Sequence, residues 1–196
     1  YGALLEEPNL PEEKRLEYAK SINRVTKHLS ELITNILKLN KLETQKISPN
    51  FKKCNLSEML CECLLGFESE WEKKNLDIEF NIEEDVYIKT DPEMLMLVWN
   101  NLLSNALKFT PDGGKVSVNL KKNGNNVTVS VSDTGCGMEE NTIKHIFDKF
   151  YQGDTSHSEK GNGLGLALVK RVIDMLDGKI SVESELGTGS TFTVKL

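Results

Sequence analysis

The sequence has few of the residues that build zinc or disulfide sites. Its 196 residues include four cysteines and three histidines, and no two cysteines form a CxxC pair. A structural zinc site needs four such ligands at short spacings, so we do not expect a zinc centre. We expect the cysteines, Cys54, Cys61, Cys63 and Cys136, to be reduced thiols of a cytoplasmic protein.

The sequence also lacks an excess of positive charge. It carries 24 Lys and Arg against 30 Asp and Glu, which gives a formal net charge of −6 at pH 7. Nucleic-acid binding favours a basic face, so we expect no nucleic-acid partner. Any anionic ligand must therefore be held by a local arrangement of donors and cations.

Long hydrophobic runs are absent too. The longest is "MLMLVW" at 94–99, far short of the roughly 20 apolar residues that span a bilayer. No signal peptide is visible. We therefore expect no membrane contact by this chain, which is still compatible with a longer, membrane-anchored parent protein.

Residues 12–43 predict one uninterrupted helix with a heptad seam. Steps of three and four separate its apolar residues, as in helices that pair along a seam. The seam covers only about two and a half heptads, so a helical hairpin that pairs with a second copy as a four-helix bundle fits better than a two-stranded coil. We place a domain boundary near Ile47, between residues 1–47 and 48–196. The seam consists of Ile22, Val25, Leu29, Leu32, Ile36 and Leu39.

Residues 48–196 combine helix and strand signals. Helical spacing, alternation and caps distinguish the segments. Helices against mostly antiparallel strands predict an α+β fold, a two-layer α/β sandwich. The predicted elements are a helix at 55–75 capped by Asn55 and Glu58, strands at 76–82 and 86–90, a helix from Asp91 and Pro92 to Phe109, a hairpin around "NGN" at 123–125, a short helix at 139–147, a polar loop at 152–162, a helix ended by Gly178, and a second hairpin to residue 196.

Three glycine clusters stand out, "DTGCG" at 133–137, "GNGLG" at 161–165 and "GTG" at 187–189. We interpret the last as a hairpin turn. The middle cluster invites a dinucleotide-binding interpretation, with Glu183 about twenty residues further on, but that fingerprint needs a strand directly before the first glycine. A polar segment stands there instead. What remains is a loop that leads into a helix N-terminus, which is suited to anions.

The stretch "NNLLSNALKF" at 100–109 places two amides and a lysine on one helical face. Asn101, Asn105 and Lys108 follow each other at steps of four and three. A buried amide is costly unless a partner bonds it. The row therefore indicates either a ligand site or hydrogen bonds within a core helix.

Five motifs in order resemble the ATP-binding domain of a sensor histidine kinase. They are "NNLLSNALKFTP", "DTGCGM", "IFDKFYQ", "GNGLGLALVK" and "GTGSTF", the N, G1, F, G2 and G3 boxes of that family. Residues 1–47 resemble part of the family's dimerisation hairpin. The resemblance implies an ATP-binding catalytic domain at 48–196, preceded by a partial helical hairpin.

The resemblance also implies roles for the polar residues. Asn105 is then the Mg²⁺ ligand, and Lys108 meets a phosphate oxygen. Asp133 accepts a hydrogen bond from the adenine amino group, which disfavours guanine. Gyrase-like and chaperone ATPases carry a glutamate general base where Asn101 stands, and an amide cannot take that proton. Asn101 therefore favours a kinase over an ATP hydrolase.

The remaining implied contacts surround the nucleotide. Gly135 and Gly137 allow the adenine ring to approach the backbone, and residues 152–162 form a lid over the triphosphate. The full implied ATP-binding set is Asn105, Lys108, Phe109, Asp133, Gly135, Gly137, Ile146, Phe150, Tyr151, Gln152, Gly161, Gly163, Leu164, Gly165 and Leu166.

Two departures from the family pattern stand out. Gln152 occupies a position where many members carry a basic residue for the γ-phosphate, with Lys149 nearby. The phosphoaccepting-histidine motif is missing, since His28, His145 and His157 lack its neighbours.

We therefore expect the catalytic portion of a histidine kinase. It would bind ATP and Mg²⁺, form a homodimer through the hairpin, and transfer the γ-phosphoryl group to a histidine outside this chain for relay to a response-regulator receiver domain. The alternative is a non-catalytic, ATP-sensing dimeric scaffold, which Gln152 allows.

Overall fold

The longest element is helix α1, Glu12–Thr44. The structure, a computed structural model, describes residues 10–44, 48–153 and 162–196. Of the predicted seam, Val25 and Leu29 are more than half exposed, whereas Leu39 is buried together with Leu42. The C-terminal end of α1 thus packs on the rest of the chain, and its middle presents an uncovered apolar face. The predicted boundary near Ile47 and the first nine residues lie outside the described residues.

Residues 48–196 form a helical layer and a five-stranded sheet, with one further two-stranded sheet. The large sheet has the order β2-β4-β5-β7-β6; the β2–β4 pair is parallel and the other pairs are antiparallel. This confirms the predicted two-layer α+β sandwich. The elements after α1 are β1 Lys52–Asn55, α2 Leu56–Leu65, α3 Glu68–Lys73, β2 Asp77–Ile82, β3 Tyr87–Thr90, α4 Pro92–Phe109, β4 Lys115–Asn123, β5 Asn126–Asp133, α5 Glu140–His145, α6 Gly165–Met175, β6 Lys179–Glu185 and β7 Gly189–Lys195.

Helix α4 is the central element of the core. Asp91 caps it as predicted, because its Oδ1 accepts the backbone N–H groups of Glu93 and Met94, each at 3.1 Å. Along α4, Leu95, Val98, Trp99, Leu102 and Leu103 are almost fully buried. Burial of this apolar stripe fixes the rotation of the helix, so its polar row faces away from the core.

The structure corrects the predicted helix at 55–75, which is two helices. Asn55 caps α2 by accepting the N–H groups of Ser57 and Glu58, and α2 ends before Gly66. Glycine is a weak helix former, and the turn at Gly66 lets Trp71 of α3 pack against the core. One continuous helix over these residues would not bring both the apolar face of α2 and Trp71 to the same core.

Two smaller differences concern a strand and a helix end. Strand β1 was not predicted, because its four residues do not alternate; it pairs with β3 far along the chain. Helix α6 ends at Met175, and Asp177 rather than Gly178 has a positive φ of 56°. Gly178 donates its N–H to the Ile173 carbonyl at 2.9 Å, the long bond of a Schellman motif.

Among the described residues, no helix combines the length and apolarity needed to cross a bilayer.

Replacing Asp91 with Ala tests the anchoring of α4. Asp91 is 7% exposed and, besides the cap, its Oδ2 accepts the Asn50 N–H at 2.8 Å. Asp91→Ala leaves three backbone donors without these acceptors, so we expect a loss of about 2 kcal/mol in the free energy of unfolding, measured in urea. Glu70→Ala on exposed α3 is the control, with an expected change within about 0.5 kcal/mol. Equal effects of the two changes would contradict the capping role.

Candidate functional site

A cavity of about 620 Å³ opens beside α4. Its walls come from α4, the end of β5, the segment after β5, the start of α6 and one face of α1. It is lined by Glu31, Asn35, Asn101, Ser104, Asn105, Lys108, Phe109, Asp133, Cys136, Gly137, Met138, Glu139, Thr142, Ile146, Tyr151, Gln152, Gly153, Asn162, Gly163, Gly165, Leu166, Leu186, Ser190 and Phe192. A concave site of this size, with both apolar and polar groups, suits a small organic ligand.

The polar row of α4 forms one wall of the cavity. Asn101, Ser104, Asn105 and Lys108 all reach it, as the helical spacing predicts. The Asn101 amide nitrogen donates to the Leu97 carbonyl at 2.7 Å, which satisfies part of this amide within the helix. The Lys108 ammonium lies 5.2 Å from the centre of the Phe109 ring. The row therefore offers amide oxygens and one cation to an anionic ligand.

Asn101 leaves no room for a side chain at Gly165, the first residue of α6. A Cβ at Gly165 would lie 2.6 Å from the Asn101 Oδ1. Any side chain here would push the amide away, so glycine allows the α6 N-terminus to approach the polar row. The N-terminus of an eleven-residue helix adds backbone N–H groups and a favourable dipole for negative charge.

Asp133, the last residue of β5, lines the cavity, and burial disfavours its charged form. Burial raises the pKa of this carboxyl, and the backbone N–H groups of Gly135 and Ser190 lower it by a smaller amount. The Gly135 N–H donates to Oδ1 at 2.8 Å. A carboxylate has about four lone-pair sites, so two backbone donors leave room for a ligand that brings its own N–H donor.

Apolar side chains line the same cavity as Asp133. They include Cys136, Met138, Ile146, Leu186 and Phe192. Such a surface suits a flat aromatic ring. The loop is held by Gly137, whose φ is +63° and where a Cβ would lie 1.8 Å from the Glu185 carbonyl oxygen. Gly137 is thus required by close packing against the turn between β6 and β7.

The cavity collects most of the site residues expected from the sequence. Gly135, Phe150 and Leu164 do not line it. Gly135 packs against the Phe109 carbonyl, and Leu164 is fully buried in the core. Phe150 is 62% exposed with a positive φ of 62°. Gly161 and the predicted lid residues 154–161 lie outside the described residues. The expected residues that line the cavity are Asn101, Asn105, Lys108, Phe109, Asp133, Gly137, Ile146, Tyr151, Gln152, Gly163, Gly165 and Leu166.

Sequence reasoning missed several lining residues. Ser104 lies on the same face of α4 as Asn101, so helical spacing was a sufficient signal. Asn162 stands between two of the expected glycines, and Ser190 pairs with Asp133 across β5 and β7. Glu31 and Asn35 belong to α1, and no local pattern links that helix to the cavity.

Lys149 does not line the cavity. Its ammonium contacts both carboxylate oxygens of Glu43 on α1, each at 2.7 Å. Arg171 of α6 donates to the Leu42 carbonyl, at 3.0 Å from Nη2. Among the residues that the structure describes, Lys108 is therefore the one Lys or Arg side chain in the lining.

Comparison with known proteins places the chain in a family. Residues 90–196, more than half of the chain, match the family described as histidine kinase-, DNA gyrase B-, and HSP90-like ATPase. The chain belongs to this family. The match contains α4, Asp133 and the α6 N-terminus, so it covers most of the cavity lining.

Individual relatives are histidine kinases, which confirms the resemblance inferred from the motifs. The circadian input-output histidine kinase CikA of Synechococcus elongatus is 38% identical over 188 residues, covering 93% of this chain and 25% of that protein. The full-length structure of ShkA in complex with AMPPNP has a TM-score of 0.80 and 27% identity, over 98% of this chain and 40% of that one. Histidine kinase ThkA in complex with the response regulator protein TrrA has a TM-score of 0.80 and 26% identity, over 99% and 55%.

The family assignment applies to a catalytic domain. The chain spans 25% of the length of CikA and 44% of the sensor-like histidine kinase SenX3 of Mycobacterium bovis. It holds the ATP-binding catalytic domain of the histidine kinases, with Asp133 and the polar row of α4 in one cavity.

Replacing Asp133 with Asn tests the cost of the buried charge. Asn keeps an oxygen for the Gly135 N–H but cannot ionise. Because the pKa of Asp133 is raised in the folded state, that state holds the proton more tightly than the unfolded state. The wild-type protein should therefore gain stability relative to Asp133→Asn as the pH falls from neutral to below about 4, the usual pKa of an Asp side chain, and lose it as the pH rises again. Urea unfolding of both proteins across this range measures the difference.

Asp112→Asn, in the exposed turn after α4, is the matched control and should run parallel to the wild type. A difference between wild type and Asp133→Asn that stays constant, or grows in the opposite direction, would show that burial does not disfavour the Asp133 carboxylate.

Proposed function

We propose that this chain is the catalytic portion of a sensor histidine kinase. It binds ATP with Mg²⁺ and transfers the γ-phosphoryl group to a histidine outside this chain, for relay to a response-regulator aspartate. The observation that carries the proposal is that a single cavity is lined by both the Asp133 carboxylate, at the end of β5, and the row Asn101, Asn105 and Lys108 on α4. ATP presents an amino group and a triphosphate that match these two sets.

Asp133 would select the base. The adenine amino group can donate to a lone pair of the carboxylate that the two backbone donors leave unused, while apolar lining residues such as Ile146 and Met138 would contact the ring. Guanine presents a carbonyl at the corresponding position, and a carbonyl facing a carboxylate leaves both acceptors without a proton. The buried setting of Asp133 makes this mismatch more costly than it would be in water.

The row on α4 would hold the triphosphate. The Asn105 amide oxygen is a hard ligand of the kind that Mg²⁺ accepts, and Mg²⁺ usually keeps waters and phosphate oxygens as its other ligands. Among the described residues, no group of three or more His, Cys, Asp or Glu side chains could hold a metal on its own, which fits a metal shared with the nucleotide. When bound, Mg²⁺ neutralises phosphate charge. Lys108 would contribute a point charge beside it.

The reaction would be an in-line phosphoryl transfer. A histidine nitrogen forms a bond to the γ-phosphorus while the bond to the β,γ-bridging oxygen breaks, and ADP leaves with that electron pair. The imidazole ring releases its other N–H proton to solvent. This chain supplies orientation and charge stabilisation, the main protein contributions to such transfers. Asn101 cannot act as a general base for water, so the γ-phosphoryl group is kept for the histidine.

A non-catalytic, ATP-sensing dimeric scaffold is the second candidate. Gln152 lines the cavity where many family members carry a basic residue, and the nearby Lys149 is paired with Glu43. Lys108 is the one Lys or Arg side chain among the described lining residues. Such a site would stabilise the negative charge of the transition state less than a site with a second basic residue. The same observations leave ATP binding itself unaffected.

The proposal extends to domains, partners and location. We assign residues 1–47 to a partial dimerisation hairpin and 48–196 to the catalytic domain. The exposed apolar residues of α1, including Val25, Leu29 and Ile33, support a homodimer through that hairpin. The complex of ThkA with TrrA supports a response-regulator receiver domain as partner. Four free cysteines support a cytoplasmic location.

Removing the Asn105 side chain tests the metal ligand. ATP affinity is measured by calorimetry with Mg²⁺ and with EDTA. We expect Mg²⁺ to strengthen wild-type binding at least about tenfold, and to strengthen binding to Asn105→Ala by less than about threefold. Asn101→Ala removes the other amide of the row and should keep the wild-type response to Mg²⁺. Similar responses in both variants would remove the special role of Asn105.

Phosphoryl transfer to a supplied histidine-bearing hairpin domain tests the function. With ATP labelled at the γ-phosphate, the wild-type chain should label that domain at least about a hundredfold faster than with GTP. Asp133→Asn should slow the ATP reaction by roughly tenfold and narrow the preference, because its amide can donate to the guanine carbonyl.

The outcomes separate the candidates. ATP binding without transfer would favour the scaffold, and steady phosphate release without an acceptor would favour a hydrolase. No ATP binding at all would overturn the proposed function.

A further inference from the structure

The Lys74 ammonium lies against the C-terminal end of α4. It donates hydrogen bonds to three backbone carbonyls, those of Leu107 at 2.9 Å, Lys108 at 3.0 Å and Thr110 at 3.1 Å. An ammonium group has three N–H donors, so each donor has a carbonyl partner. The contacts are partly buried and bridge more than thirty residues of sequence.

These carbonyls include groups that a helix end leaves without partners. The last four carbonyls of an α-helix have no intrahelical donor. Thr110 satisfies Ala106 through its own backbone N–H and hydroxyl, at 3.1 Å and 2.6 Å, and Lys74 satisfies Leu107 and Lys108. A cation at this end also interacts favourably with the helix dipole.

Lys74 is itself held in place at its backbone. Its carbonyl accepts the N–H of Gly113, in the turn after α4, at 2.8 Å. It directly follows α3, whose Trp71 packs against the core. Backbone and side chain of one residue therefore connect α3 to both the last turn of α4 and the loop that follows it.

The last turn of α4 is also the part that carries the cation of the cavity. The Lys108 carbonyl bonds Lys74, while the Lys108 side chain lines the cavity and lies over the Phe109 ring. If the last turn loosened, the position of the Lys108 ammonium would become less defined. Asp133 lies on β5, and its partner Gly135 packs against the Phe109 carbonyl, which is not among the three carbonyls that Lys74 bonds.

We propose that Lys74 is a positioning residue for the phosphate-binding part of the site. It fixes the last turn of α4, and thereby aims Lys108 at the nucleotide phosphates, without touching the ligand. The proposal rests on the proposed function, because it needs ATP in this cavity. It assigns Lys74 an effect on phosphate binding that should not extend to the adenine contact.

The test compares ATP with adenosine, which lacks phosphates. Lys74→Met keeps most of the apolar stem and removes the donors. We expect its affinity for ATP to fall about tenfold and its affinity for adenosine to change by less than about twofold, measured by calorimetry and ligand-observed NMR at a temperature where circular dichroism shows a folded chain. Lys74→Arg, which keeps the charge and several donors, should recover part of the ATP affinity.

Lys73→Met is the matched control. Lys73 is the exposed neighbour in the last turn of α3, and its side chain makes no hydrogen bond or ion pair with another described residue. Its affinities should equal those of the wild type. If Lys74→Met does not fold, Lys74→Arg carries the test, with a smaller loss confined to ATP.

Three results have distinct meanings. A loss confined to ATP supports the proposal. Equal losses for ATP and adenosine, or no loss in a folded variant whose melting temperature drops, would overturn it and leave Lys74 a purely structural cap. Failure of the wild-type chain to bind ATP would instead overturn the proposed function, a result visible before any variant is made.

Discussion

Burial of the apolar stripe of α4 is the constraint on which the site depends. Trp99 and Val98 are fully buried, so the helix cannot rotate without exposing them, at a cost of about 2 kcal/mol or more for each large side chain. The opposite face is thereby fixed toward the cavity, with its amides and Lys108 in register. Asp91 at one end and Lys74 at the other hold the helix along its axis. The positions of the amides and of Lys108 thus follow from the position of the helix.

The ligand-facing groups contribute little to stability, and Asp133 opposes it. Its charge is partly removed from water, and two backbone donors only partly compensate, which is why its pKa is raised. Such a group is explained by what it would bind rather than by what it holds together. Asn101 is intermediate, because one half of its amide bonds the Leu97 carbonyl and the other faces Gly165. Burial of the apolar core offsets the unfavourable free energy of the buried Asp133 charge.

Local patterns predicted most strands and the ends of α4, because alternation, caps and helical spacing are short-range properties. Half of the cavity-lining residues were expected, most of them, such as Asp133 and Tyr151, from the family resemblance rather than from spacing. The break at Gly66 was missed, since the choice between one helix and two depends on where Trp71 can pack. Strand β1 was missed because its stability comes from β3, about thirty-five residues away. Glu31, Asn35 and Lys74 reach the site or its supports through tertiary contacts alone. Long-range packing, which no local pattern encodes, decided each of these cases.

The acidic chain and an anionic ligand leave charge to be balanced at the site itself. With a net charge of −6, the long-range field of the chain would repel a triphosphate, and salt would screen that repulsion. Lys108 and the α6 N-terminus are local positive features of the cavity, and Mg²⁺ would add a third under the proposed function. The Lys149–Glu43 pair withdraws one more cation toward α1. Helix α1 therefore contributes both the carboxylate that pairs with Lys149 and, through Glu31 and Asn35, part of the cavity wall.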